Sequence, residues 1–128
     1  RLRDLGVDSF LIAASLRLVA AQRLVRRLCP ECRVPHPDNT RLCEQHRITG
    51  QFHRPAGCPA CHGRGYRGRL SIHEVIPAGR FLPLISVDAP LAELAALRER
   101  EGFPTLWSRG LQVAAAGLTT LEEIARVL

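Results

Sequence analysis

A chain of 128 residues with 46% hydrophobic content is long enough for one domain with a modest core. Its 18 basic residues are all arginine and face 12 acids, a net charge of +6 that suits nucleic acid, an acidic lipid surface or the acidic face of a partner subunit. A membrane-spanning helix is excluded, because the one apolar-rich run, Leu11 to Ala21, is broken by Arg17 and falls short of the about eighteen residues a span needs.

The charge is unevenly placed: residues 1–73 hold 13 Arg against 5 acids, and residues 74–128 hold 5 Arg against 7 acids. The two parts are therefore +8 and −2. No signal-peptide pattern opens the chain, and paired CxxC turns fit a reducing compartment. The chain has no methionine at all, so it is expected to be a fragment of something longer.

In chain order, Asp8 is placed to cap a short helix to about Ala13, and Ser15 to cap another over Leu16–Gln22. Leu24, Val25 and Leu28 then lead into Cys29 as a strand, although a continuous helix from Ser15 to Leu28 fits the apolar spacing nearly as well. Residues 33–57, with three prolines, predict loop with one short helical turn near Leu42–Arg47. His62 to Gly68 is a flexible turn, followed by a strand with Leu70, Ile72, Glu74 and Ile76 on one side and Ser71, His73 and Val75 on the other. Pro77 ends it, and Gly79 to Ile85 forms a short helix.

The last third reads as helical. Pro90 starts a helix bearing Leu91, Leu94, Ala95 and Leu97 that stops before Gly102. Thr105 caps the next helix, in which Gly110 costs about 1 kcal/mol of propensity, and Gly117 closes it. Thr119 with Glu122, or Thr120 with Glu123, makes a capping box for a final helix whose buried side carries Leu121, Ile124 and Val127. The three helices are expected to pack as a small bundle.

Two matched turns carry the chemistry: Cys29-Pro30-Glu31-Cys32 and Cys58-Pro59-Ala60-Cys61. Each sets two thiolates on one tight turn, and two such turns facing each other make a tetrahedral sulfur cage for zinc. Iron held by four sulfurs is the chemical competitor, and a redox dithiol or free buried cysteines are the plain alternatives. Cys43 is read as a loop cysteine outside the cage, and His36, His46, His53 and His62 as minor nitrogen competitors. Such a cage leaves no open coordination position, so it argues for a stabilised fold before any reaction.

Catalytic patterns are missing. No GxxxxGK[ST] phosphate loop, HExxH or nucleophile elbow occurs, and a chain without lysine has no phosphate-loop lysine. Glu74 falls on the apolar side of its strand and should sit in a structural ion pair, with Arg69 or Arg26 as partner. Arg23, Arg26 and Arg27 precede the first knuckle, and Arg64, Arg67 and Arg69 follow the second. For the first cluster a solvated face is the plain reading and contact with a phosphate or an acidic subunit edge the other, since a guanidinium fork suits both. The second, with Tyr66, offers nucleic acid charge and a single stacking ring.

Several segments together resemble a known family: Ala21-Gln22-Arg23-Leu24-Val25-Arg26-Arg27-Leu28-Cys29-Pro30-Glu31-Cys32, Gly57-Cys58-Pro59-Ala60-Cys61, Gly65-Tyr66-Arg67-Gly68-Arg69, Ile72-His73-Glu74 and the tail Gly117-Leu118-Thr119-Thr120-Leu121-Glu122-Glu123. They are similar to the C-terminal part of the GspE/PilB family of type II secretion and type IV pilus assembly ATPases. The resemblance implies an α/β fragment: residues 1–28 as the end of a RecA-like core, 29–65 as an inserted zinc subdomain with Cys29, Cys32, Cys58 and Cys61 as ligands, 66–76 as a returning core strand, and 77–128 as a C-terminal helical bundle. It further implies a hexameric, cytoplasmic motor peripheral to the inner membrane, whose partners are its own subunits and an inner-membrane platform protein, with no specific nucleic acid. ATP and Mg belong to the intact parent, because the phosphate loop and the acidic metal-holding residues of the family are missing here. A stand-alone zinc ribbon binding protein or nucleic acid is the alternative.

Overall fold

The computed structural model describes residues 2–128. It is a mixed α/β structure with two small two-stranded sheets and a helical C-terminal third. The described residues divide into two compact units: 2–21 with 75–104, and 22–74 with 105–128.

In the first unit, α1 (Ser9–Ser15) is capped as expected, the Asp8 carboxylate accepting the Phe10 N–H at 2.7 Å. Ser15, however, ends this helix and starts no other. Its hydroxyl donates back to Leu11 O at 2.7 Å, and the chain turns extended at Leu16. Strand β1 runs over Leu18–Leu28, so neither the helix expected over Leu16–Gln22 nor the continuous helix from Ser15 forms. Pairing decides this. β1 hydrogen-bonds with β4 (Tyr66–Pro77), a partner that the helix-like local spacing cannot reveal. Cys29 N–H donates to Gly65 O at one end and Ala78 N–H to Arg17 O at the other, both at 2.9 Å, so the strands run antiparallel.

Beyond β4, a single 3₁₀ turn (Gly79–Phe81) leads into α3 (Leu82–Ser86), which packs on α1. The Asp88 carboxylate accepts from Ser9 Oγ at 2.7 Å and from Arg3, and these donors hold its pKa below the ordinary value. Helix α4 (Leu91–Arg100) completes this unit.

The second unit is built around Val25, Phe52, Ile72, Ala114, Ala115 and Ile124. Residues 33–57 are more ordered than their prolines suggest. β2 (Arg33–Pro35) pairs antiparallel with β3 (His53–Pro55), Val34 opposite Arg54, and α2 (Asn39–His46) lies between them. Asn39 explains much of this: its side-chain oxygen accepts the Phe52 N–H at 2.8 Å, and its amide donates to Gly50 O at 3.3 Å. Phe52 is thereby pinned into the core, where it is 2% exposed.

Helix α5 (Leu106–Ala115) begins at Thr105, whose hydroxyl accepts the Ser108 N–H at 3.0 Å. Helix α6 (Leu121–Val127) begins at Thr120, whose hydroxyl accepts from Glu123 N–H at 3.1 Å, so the second of the two capping candidates is the one used. α5 packs on α6 where Gly110 leaves room: a Cβ there would lie 2.8 Å from Ile124 Cγ2. The helix-propensity cost of that glycine is offset by close packing.

Candidate metal centre

The two knuckles are built differently. At the first, Cys32 and Arg33 N–H both donate to Cys29 O, at 3.4 and 3.1 Å, closing the CxxC turn. At the second, Cys58 is extended and Pro59 opens a 3₁₀ turn through Cys61, after which His62 (φ 53°) and Gly63 (φ 74°) reverse the chain through left-handed backbone. Gly65 is required where it stands. Its φ is +73°, and a Cβ would meet Pro55 Cβ at 2.2 Å. The second knuckle and β3 thus touch backbone to side chain with no room for more.

These turns bring all four sulfurs within 4.8 Å of one another. Cys29 Sγ lies 3.8 Å from Cys58 Sγ, Cys32 Sγ 3.8 Å from Cys61 Sγ, and Cys58 Sγ 3.7 Å from Cys61 Sγ. A tetrahedron of sulfurs each about 2.3 Å from zinc has edges of about 3.8 Å. A disulfide needs about 2.05 Å, so these separations suit a shared ion rather than a bond. Among the described residues the group consists of cysteines alone, and His36, His46, His53 and His62 do not join it.

The backbone supplies further donors. Cys58 N–H and Gly65 N–H point at Cys61 Sγ, at 3.3 and 3.1 Å. Removal from water pushes the Cys61 thiol up, yet these two donors together with the Cys58 and Cys32 side chains bring the pKa to about 6. Cys32 moves the other way, pushed up to about 12 chiefly by burial, and burial likewise raises Cys58. A divalent ion at the centre of the cage is what stabilises four thiolates side by side. Zinc fits this donor set. It would be held by Cys29, Cys32, Cys58 and Cys61, and would supply structural cross-linking with no position left for water.

Cys43 lies on α2 and not in a loop. It is half-buried against the core, with its Sγ 3.4 Å from Gly50 O. Its role is packing.

The arginines have separate fates. Arg23 donates to the neighbouring Gln22 O at 2.9 Å, and Arg64 to Cys61 O at 3.3 Å. Arg67 pairs with Glu31 at 3.3 Å across the exposed surface, while Arg27 and Arg69 stand exposed on β1 and β4. Arg26 is engaged internally: its guanidinium lies 4.2 Å above the Tyr66 ring and donates twice to Glu123 Oε2, at 3.0 and 2.7 Å. Of the two arginines expected beside Glu74, then, Arg26 serves another carboxylate. Glu74 Oε2 accepts the Leu106 N–H at the start of α5, at 2.9 Å.

Glu123 is the centre of a charge network in this unit. Its side chain is fully buried, and it accepts from Arg26 N–H, the Arg26 guanidinium and the Arg126 guanidinium. Burial would raise its pKa, but Arg126 and Arg26 hold it down at about 2. The sequence marked Glu123 only as half of a capping box. What it could not show is that the same carboxylate turns inward to seal the edge of β1.

Comparisons with known proteins find relatives across almost the whole chain. The family model described as "Type II/IV secretion system protein" matches residues 1–126. Among curated proteins, the chain is 39% identical over 136 residues to "Type II secretion system protein E" of Aeromonas hydrophila, covering 99% of this chain and 26% of that protein. It is 41% identical over 134 residues to "Putative type II secretion system protein E" of Escherichia coli (strain K12), covering 99% and 27%. To "Type IV pilus assembly ATPase PilB" of Myxococcus xanthus it is 40% identical over 132 residues, covering 97% and 23%. The chain thus spans about a quarter of the length of these relatives. With nearly every residue matched, the chain belongs to the type II/IV secretion system protein family.

Proposed function

We propose that this chain is the C-terminal, zinc-bearing part of a hexameric ATPase that powers type II protein secretion or type IV pilus assembly. The supporting observation is that a family match over residues 1–126 coincides with a four-sulfur cage of the right dimensions. Relatives named for both machines match at 39% and 40% identity, so the reading covers the shared motor and not one of the two systems.

In this reading residues 1–28 and 66–76 are the end and return of a RecA-like core, 29–65 the zinc-bearing insert and 77–128 the helical closing part. Leu5, Phe10, Val87 and Leu91 stand 70–80% exposed, which supports a first unit made to pack against a larger body. The chain has no phosphate loop, so nucleotide and Mg would be bound by other parts of the parent. Its own task is mechanical: contact with neighbouring subunits and docking to the inner-membrane platform protein, through exposed arginines such as Arg27 and Arg69. Its place is cytoplasmic and peripheral to the inner membrane; among the described residues no helix is long and apolar enough to cross a membrane.

The test is binding. Zinc-loaded chain should bind the platform protein's cytoplasmic part, the double variant Arg27→Glu/Arg69→Glu should bind at least tenfold more weakly, and duplex DNA should not compete. Equal binding by the variant, or preferential salt-dependent binding to DNA, would overturn the reading.

A further inference from the structure

The end of α5 and the turn after it, residues 115–119, bond to both flanks of the first knuckle and to the chain leading to the second. Leu28 N–H, one residue before Cys29, donates to Leu118 O at 2.9 Å. Arg33, one residue after Cys32, donates from Nη1 to Gly117 O at 2.6 Å. Gln51 N–H, on the chain leading to the second knuckle, donates to Ala115 O at 2.7 Å. Thr119 Oγ1 donates to Arg26 O at 2.8 Å and is itself fully buried. Four hydrogen bonds from three separate segments converge on five consecutive residues, and all of them lie in the second compact unit.

Each of those three segments is positioned by a knuckle. The first CxxC turn fixes where Leu28 leaves β1 and where Arg33 begins β2, since Arg33 N–H is also bonded to Cys29 O at 3.1 Å. The second knuckle is fixed to β3 through the contact of Gly65 with Pro55, and β3 follows directly on Gln51 and Phe52. An ion holding the two knuckles together therefore sets the spacing of the donors that grip the α5–α6 turn.

We propose that metal binding at the cage and the seating of the C-terminal helices form one linked equilibrium, with Arg33 as the positioning residue that couples them. Zinc at four cysteines prearranges the clasp, and the clasped turn in return holds the cysteines at ligand spacing. Linkage makes the coupling reciprocal: the factor by which zinc favours the seated turn is the factor by which the seated turn tightens zinc. The proposal assumes that the cage takes zinc and does not depend on the motor reading.

The experiment uses the full chain in two measurements. Amide hydrogen exchange is compared with zinc bound and after chelation; protection at Leu28 and Gln51, whose N–H groups donate to the turn, should fall, and that of Gly117 and Leu118 at the end of α5 with it, while α1 and α3 in the first unit keep theirs. Trp107, the single tryptophan, sits on α5 with its ring 6.5 Å from that of His46 and gives a fluorescence readout of the same seating. Zinc affinity is then measured by competition with a chromophoric chelator. Arg33→Ala, which leaves every sulfur in place, should weaken zinc about tenfold, in the range found for outer-shell partners of metal ligands. Arg41→Ala, an exposed change on α2, should leave it unaltered, and Arg33→Lys should recover part of the loss. A chain that binds no zinc overturns both the cage and the linkage. Zinc binding with unchanged protection at Gln51, Gly117 and Leu118, or with equal affinity in Arg33→Ala and Arg41→Ala, overturns the linkage alone.

Discussion

Replacing Glu123 with glutamine is the sharpest probe of how the second unit holds together. The change keeps size and one acceptor oxygen but removes the charge that Arg26 and Arg126 converge on. A carboxyl whose pKa falls from 4.5 to about 2 on folding gains about 3 kcal/mol from ionised contacts. Both guanidiniums are more than half exposed and can turn to water in the variant, so the expected loss is about 2–3 kcal/mol. The sign follows from a depressed folded-state pKa: the contribution is complete above about pH 4.5 and disappears as pH falls towards 2. Urea unfolding of the parent and Glu123→Gln chains, repeated from pH 7 to pH 2.5, measures this as the difference between the two. Zinc content is measured alongside at each pH, so that unequal metal loss is separated from the carboxylate's own contribution. A difference below about 1 kcal/mol at pH 7, or one that stays constant to pH 2.5, would refute the buried-triad account.

Elemental analysis should find one zinc per chain, with Cys29→Ser losing it and Cys43→Ser retaining it, because Cys43 packs outside the cage. Gly65→Ala combines a left-handed φ with a 2.2 Å clash, so it should cost more than about 2 kcal/mol and weaken zinc in the same chelator competition. Gly110→Ala gains about 1 kcal/mol of helix propensity but drives a methyl to 2.8 Å from a fully buried Ile124. A net loss of about 1 kcal/mol in thermal or urea unfolding is expected, and a stabilised variant would show that α5 and α6 can separate at little cost.

The sequence alone determined the features governed by neighbours a few residues apart. CxxC spacing, the caps at Asp8 and Thr105, the alternation of Leu70, Ile72 and Glu74, and the stop at Pro77 are local, and the structure keeps all of them, while it chooses Thr120 over Thr119 as the cap of α6. What only the tertiary structure decided are the features settled by partners far along the chain. Residues 18–22 have helix-compatible spacing but become strand because β4 supplies the hydrogen bonds. Residues 33–57 order around Asn39 and Phe52, whose contacts are set by α2 and β3 together. Arg26 and Glu123, 97 residues apart, find each other only once α6 lies along β1, since no local pattern encodes which buried charge meets which guanidinium.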